Sequence, residues 1–150
     1  MRALLLSFLL AANACAADFV PLDKTTARKL VESAQHTQAT AVVLWSYDCP
    51  HCKQNLKQFA QLAKRYPQLK IISIATDPAS PELRQRLDAT GLPGIRYAYG
   101  NDAPEALAYA IDPSWHGELP RTLLFDGKGG KVAISGVESP KKIQGLLGLR

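Results

Sequence analysis

The sequence predicts an α/β fold: a central mixed sheet flanked by helices, built from an N-terminal βαβ unit and a C-terminal ββα unit. Three observations carry that prediction. The apolar run Ala41-Val42-Val43-Leu44-Trp45-Ser46 is followed by a helix-patterned stretch and then by a second β-rich run, Leu69 to Ala75. Two further β-rich segments, Arg121 to Phe125 and Lys131 to Ser135, flank Asp126-Gly127-Lys128-Gly129-Gly130. A last helical pattern follows Ser139-Pro140.

Each element has its own signal. Leu22 to Gln38 carries apolar residues at Leu22, Ala27, Leu30, Val31 and Ala34, a helical spacing, with Asp23 placed to cap it. Ala41 to Ser46 is bounded by polar residues, as suits a strand buried on both faces. From Cys52 onward, Leu56, Phe59, Ala60, Leu62 and Ala63 form one face of an amphipathic helix that stops before Pro67. After the strand Leu69 to Ala75, Ser80 at the cap and Pro81 in the first turn open a helix that Gly91 ends. Right-handed crossovers in this β-α-β-α run make its strands parallel. Residues 92–117 are the least patterned, with one short helix expected at Pro104 to Ile111. Asp-Gly and Gly-Gly supply the positive φ angles of a tight reversal, so Arg121 to Ser135 forms a β-hairpin. Ser139-Pro140 then caps a final helix through Leu147.

Residues 1–16 stand apart from this pattern. Arg2 supplies one positive charge, Ala3 to Ala12 is apolar apart from Ser7, and Ala12-Asn13-Ala14 and Ala14-Cys15-Ala16 have Ala-x-Ala spacing. That is the layout of a secretory signal peptide, its apolar segment too short to span a bilayer. Cleavage is expected after Ala16, leaving 17–150 as one domain exported to the bacterial periplasm. Lipidation of Cys15 is the alternative. The preceding residues disfavour it: the leucine usual three positions before such a cysteine is missing, and Asn13 is polar. With Cys15 removed, a single close cysteine pair remains, which is no disulfide framework and leaves the pair available for chemistry.

The remaining length suits one hydrophobic core. The formal charge is +5, yet its basic residues are scattered, with Lys53, Lys57, Lys64 and Arg65 on one expected helix and Lys141-Lys142 near the end. Without a polybasic run or interleaved aromatics, these read as solvated helix faces, and no nucleic-acid partner is expected.

The chemistry centres on Cys49-Pro50-His51-Cys52, at the junction of a strand and a helix. A helix N-terminus offers unpaired backbone N–H groups and a partial positive charge, both of which stabilise a thiolate. Cys49, at the exposed start, is therefore the expected nucleophile, and Cys52, one turn inward, the resolving thiol. Pro50 suits a helix start and stiffens the ring that holds both sulfurs. His51 can donate toward Cys49, whereas the carboxylate of Asp48 opposes a thiolate near it. Cys49, His51, Cys52 and His116 are the soft or borderline metal donors, but there is no second cysteine pair, and Lys53 occupies the place of a haem motif's histidine. No metal and no organic cofactor are expected.

The sequence resembles the thioredoxin fold over residues 20–150, with Cys-x-x-Cys at the strand-to-helix turn of a βαβ unit. Trp45 lies where such domains commonly carry a tryptophan. Leu119-Pro120-Arg121-Thr122-Leu123-Leu124-Phe125-Asp126 resembles the family's cis-proline segment and the strand after it, most of all in the exported TlpA-like group. The resemblance implies that Pro120 is cis and lies against the cysteine pair. It also implies that the backbone at Leu119 pairs with an extended client chain. Trp45, Tyr47 and Trp115 are candidates to line an apolar surface around the sulfurs, with core packing the other role open to Trp45. Val43 replaces the acid that cytosolic thioredoxins bury there, and Asp48 replaces their tryptophan. Pro50-His51 is the dipeptide of DsbA-type oxidases.

The expected function is exported thiol–disulfide exchange with protein thiols or disulfides, and with a membrane-embedded redox partner. The direction of electron flow stays open, since Pro50-His51 points to an oxidant and the TlpA-like body to a reductant. The alternative is a non-catalytic scaffold module of an envelope assembly, with copper handling.

Overall fold

Residues 18–150 are described by the computed structural model; the expected signal peptide and Cys15 lie outside them. A six-stranded sheet contains β1 (Val20–Leu22), β2 (Thr40–Trp45), β3 (Lys70–Ala75), β4 (Ile95–Tyr99), β5 (Arg121–Phe125) and β6 (Lys131–Ser135) in the order β1-β4-β3-β2-β5-β6. The first four in that order are mutually parallel, β5 runs antiparallel to β2, and β6 runs antiparallel to β5. Around it pack α1 (Lys24–Leu30), α2 (Cys52–Arg65), α3 (Pro81–Asp88), α4 (Pro104–Ile111) and α5 (Pro140–Leu147). The expected mixed α/β sheet is therefore present.

Alternation along β2 separates two cores. Ala41, Val43 and Trp45 face Leu56 and Phe59 of α2, Leu83 and Leu87 of α3, and Ile143 and Leu147 of α5. Val42 and Leu44 face Ala27 of α1 and Leu107 and Ile111 of α4. Burial on both faces explains why β2 reads as a continuous apolar run.

The helix starts follow the capping signals. Asp23 accepts the Thr26 N–H at 2.7 Å, Ser80 accepts the Leu83 N–H at 3.1 Å, and Ser139 accepts the Lys142 N–H. The helix expected over Leu22 to Gln38 is a correction: Leu22 closes strand β1, α1 ends at Leu30, and only a 3-10 turn follows at Ser33–Gln35. The reason is local satisfaction at that end, where the ring of His36 donates from Nε2 to the orphaned Leu30 carbonyl at 2.9 Å.

Strands β1 and β4 carry no clear pattern in the sequence, yet they pair with each other over Val20–Leu22 and Tyr97–Tyr99. Gly94 admits β4 beside β3: its φ is +99°, and a Cβ there would stand 2.1 Å from the Ile71 carbonyl oxygen. Among the described residues, no helix is long and apolar enough to cross a membrane.

Candidate redox site

β2 delivers its chain at Trp45 into the turn Ser46-Tyr47-Asp48, where the Cys49 N–H reaches the Ser46 carbonyl at 3.4 Å. The Tyr47 N–H donates to Asp77 at 2.7 Å, tying this turn to the end of β3. Helix α2 begins at Cys52 with His51 as its N-cap, and the His51 side chain makes no capping hydrogen bond. Pro50 thus sits one residue ahead of the cap, a small correction to its expected place inside the first turn. The chain geometry leaves first-turn N–H groups without a side-chain partner.

Cys49 and Cys52 are joined by a disulfide. Their surroundings differ: Cys49 is half-buried, whereas Cys52 is 1% exposed and part of the core beneath α2. Pro50 and His51 between them are exposed. Of the two cysteines, Cys49 lies nearer the surface and Cys52 is sheltered.

The Leu119–Pro120 bond is cis. In the β2–β5 ladder Leu44 pairs with Arg121, so Trp45 and Pro120 are the next residues of two chains leaving the sheet at the same end. The Cys49 turn and the Pro120 loop are brought together in this way. Leu119 and Cys49 are both half-buried and pack against the same core.

Two polar ties secure this end, and neither was legible as a site residue. Asn55, one turn beyond Cys52 and 1% exposed, donates from Nδ2 to Thr122 Oγ1 at 3.3 Å. It links α2 to β5 two residues after Pro120. A polar residue on the apolar face of α2 was the available signal. Arg121, immediately after Pro120, reaches Asp112 at 2.5 Å, Ser135 at 2.7 Å and Glu118 at 3.4 Å. The Ser135 hydroxyl also donates to Glu118 at 2.7 Å, and the Trp115 indole N–H donates to the Glu118 carbonyl at 2.8 Å. The loop from Asp112 to Pro120 is thus clamped at both ends. Burial alone would raise the Asp112 carboxyl, but hydrogen bonds from Ser114 and Arg121 hold it below its ordinary value. The Ser135 hydroxyl does the same for Glu118.

Of the aromatic candidates, Trp45 is a correction. It is wholly buried, its indole N–H unpartnered, so it packs the core and offers no surface to a client. Tyr47 is 39% exposed and lies beneath the Arg86 guanidinium, 4.1 Å from the ring centroid. Trp115 is nearly buried and, with Leu119, Tyr99 and Thr76, lines a cleft of about 340 Å³ beside the proline loop. Burial pushes the Tyr99 phenol up to about 12. Among the described residues, no group of three or more His, Cys, Asp or Glu side chains is placed to hold a metal ion.

Residues 37–132, well over half of the chain, match the family model described as thioredoxin-like. No curated protein matches the sequence. Solved structures share its fold at low identity. A secreted Mycobacterium tuberculosis disulfide oxidoreductase, homologous to E. coli DsbE, superposes with a TM-score of 0.62 at 15% identity, over 77% of this chain and 84% of that one. A thiol:disulfide interchange protein of the thioredoxin family from Chlorobium tepidum TLS gives 0.59 at 17% identity, over 85% and 84%. StoA from Bacillus subtilis gives 0.55 at 16% identity, over 74% and 83%.

Proposed function

The chain belongs to the thioredoxin-like family, and on that footing we propose that it is an exported thiol–disulfide oxidoreductase that exchanges disulfides with client proteins. One observation carries the reading: the Cys49–Cys52 disulfide opens α2 with Cys49 half-buried at the surface and Cys52 sheltered in the core.

The exchange balances without any other reagent. A client thiolate attacks Cys49 Sγ, forming a mixed disulfide and expelling Cys52 as a thiolate. A second client thiolate attacks the client sulfur of that mixed disulfide, and Cys49 leaves with its electron pair. Two electrons have then passed from client dithiol to the pair, which ends as a dithiol. Run in reverse, Cys49 attacks a client disulfide and Cys52 resolves the intermediate. In both directions Cys49 is thiolate when it attacks or leaves, and the N–H groups at the start of α2, which no side chain caps, stabilise that form. Pro50 stiffens the ring, and the exposed His51 between the cysteines donates a hydrogen bond toward Cys49. Leu119 and Pro120 align the client as an added strand, and Tyr47 borders it. The sulfurs carry the electrons, so no organic cofactor is involved.

The signal-peptide pattern of residues 1–16 supports a periplasmic location, where disulfides persist. A membrane-embedded redox partner resets the pair there.

A Cys52→Ala variant tests the proposal. Without the resolving thiol, Cys49 should hold client proteins as mixed disulfides that reducing agent releases. If no trapped species forms with the variant, and wild type does not turn over a model disulfide, the proposal fails.

A further inference from the structure

Helix α2 (Cys52–Arg65) contains four basic residues and no acidic one. Lys53, Lys57 and Lys64 are exposed, and among the described residues none of the three is in an ion pair. They fall at i, i+4 and i+11, with the small Ala60 at i+7. At 3.6 residues per turn the three lysines lie within about 40° of one another around the axis, and Ala60 widens the strip to about 60°. The lysines read as scattered along the chain therefore form a single straight stripe.

Two hollows flank the stripe. One, of about 500 Å³, is lined by Pro50, Lys53, Lys57, Gln61 and Pro140. The other, of about 610 Å³, is lined by Lys57, Ala60, Gln61, Lys64, Thr90 and Pro93. Lys57 and Gln61 belong to both and stand between them. The first hollow starts at Pro50, between the two sulfur-bearing residues. The stripe carries positive charge along the length of α2, and Gln61 offers an amide to a passing backbone.

We propose that this lysine stripe docks an acidic, extended segment of the client whose thiol is exchanged at Cys49. The inference rests on the exchange reading and adds the class of partner. The helical rise puts Lys57 about 6 Å beyond Lys53, and Lys64 about 10 Å beyond Lys57. An extended chain rises about 3.4 Å per residue with its side chains alternating between faces, so acids two residues apart share the face turned to the stripe. The matching segment is acid-x-acid-x-acid, running away from the reacting cysteine, with its third acid within about 3 Å of the level of Lys64. Such complementarity raises encounter rate and selects partners more than it adds bulk affinity.

The test measures the rate at which reduced cysteine peptides attack the Cys49–Cys52 disulfide of the full chain. One peptide carries Asp-Ser-Glu-Ser-Glu beside its cysteine, and the other carries Lys-Ser-Lys-Ser-Lys. An exposed ion pair contributes a factor of about two. The acidic peptide should therefore react about fourfold more slowly with Lys57→Gln/Lys64→Gln, and about sixteenfold more slowly with Lys57→Glu/Lys64→Glu. Both differences should vanish near 1 M salt, where screening reaches about 3 Å. Equal rates for the acidic peptide with all three proteins, while dithiothreitol still reduces wild type, overturn the docking proposal alone. A wild-type pair that dithiothreitol cannot reduce overturns the exchange reading and this proposal with it. Binding of phosphatidylglycerol vesicles that both variants lose, with no peptide preference, overturns it in favour of a membrane surface.

Discussion

Replacing Arg121 by methionine removes the guanidinium that clamps the Pro120 loop while keeping a side chain of similar reach. The Arg121 and Asp112 side chains are 11% and 12% exposed and 2.5 Å apart, so the substitution strands a nearly buried carboxylate. Breaking a fully buried pair costs about 3–5 kcal/mol. Glu118, the third member, is 45% exposed and hydrates easily, which lowers the expected loss to about 2–3 kcal/mol. With a urea slope of about 2 kcal/mol/M, the midpoint should fall by about 1–1.5 M. Pairing the change with Asp112→Asn should recover about 1–2 kcal/mol, because the stranded charge is then gone. Asp112 is held below its ordinary 3.8, so its share of the stability is present at neutral pH and is lost as pH falls below that value. The loop also carries Leu119, so the variant should show a raised KM for client peptides with a smaller change in kcat. A midpoint shift under about 0.3 M at pH 7 would refute the clamp.

Two further outcomes follow from other parts of the fold. Burial pushes the His36 imidazole below its ordinary 6.5, against the opposing Leu30 carbonyl, and Lys70 and Lys131 add to the effect. The unfolded chain therefore takes up that proton first. Stability is complete above about pH 6.5 and declines below it, and urea midpoints at pH 7.5 and 5.5 should differ in wild type but not in His36→Asn. A Cβ at Gly94 would meet the Ile71 carbonyl at 2.1 Å in a positive-φ conformation, so Gly94→Ala should cost about 2–4 kcal/mol. An unchanged thermal midpoint would show that β4 can shift away from β3 without penalty.

What could be read before the structure depended on how local its cause was. Strand β5, strand β6, α4 and α5 fall on the residues expected, because hairpin chemistry, Pro104 and Ser139-Pro140 act within a few residues. Strands β1 and β4 were missed because they are stabilised by distant partners, β1 by β4 and β4 by both β1 and β3: three residues containing Pro21, and a segment containing Arg96, have no alternation to reveal them. The cysteine motif was legible because its chemistry depends on two cysteines three residues apart in the chain. Asn55 and Arg121 were not, since their meaning comes from partners 67 residues away in one case and from the Asp112–Glu118–Ser135 cluster in the other. Trp45 shows the converse. Its position matched the family pattern, but only burial could decide between its two roles, and it decided for packing.

The claim that Cys49–Cys52 is a working redox couple rather than a structural staple is tested most directly by equilibrating the folded chain across glutathione ratios. Free thiols are then alkylated and weighed. A reactive couple converts between disulfide and dithiol in a single two-electron transition without denaturant, and brief alkylation of the reduced form marks Cys49 before Cys52. A pair that stays oxidised at every ratio until the protein is unfolded would contradict the claim.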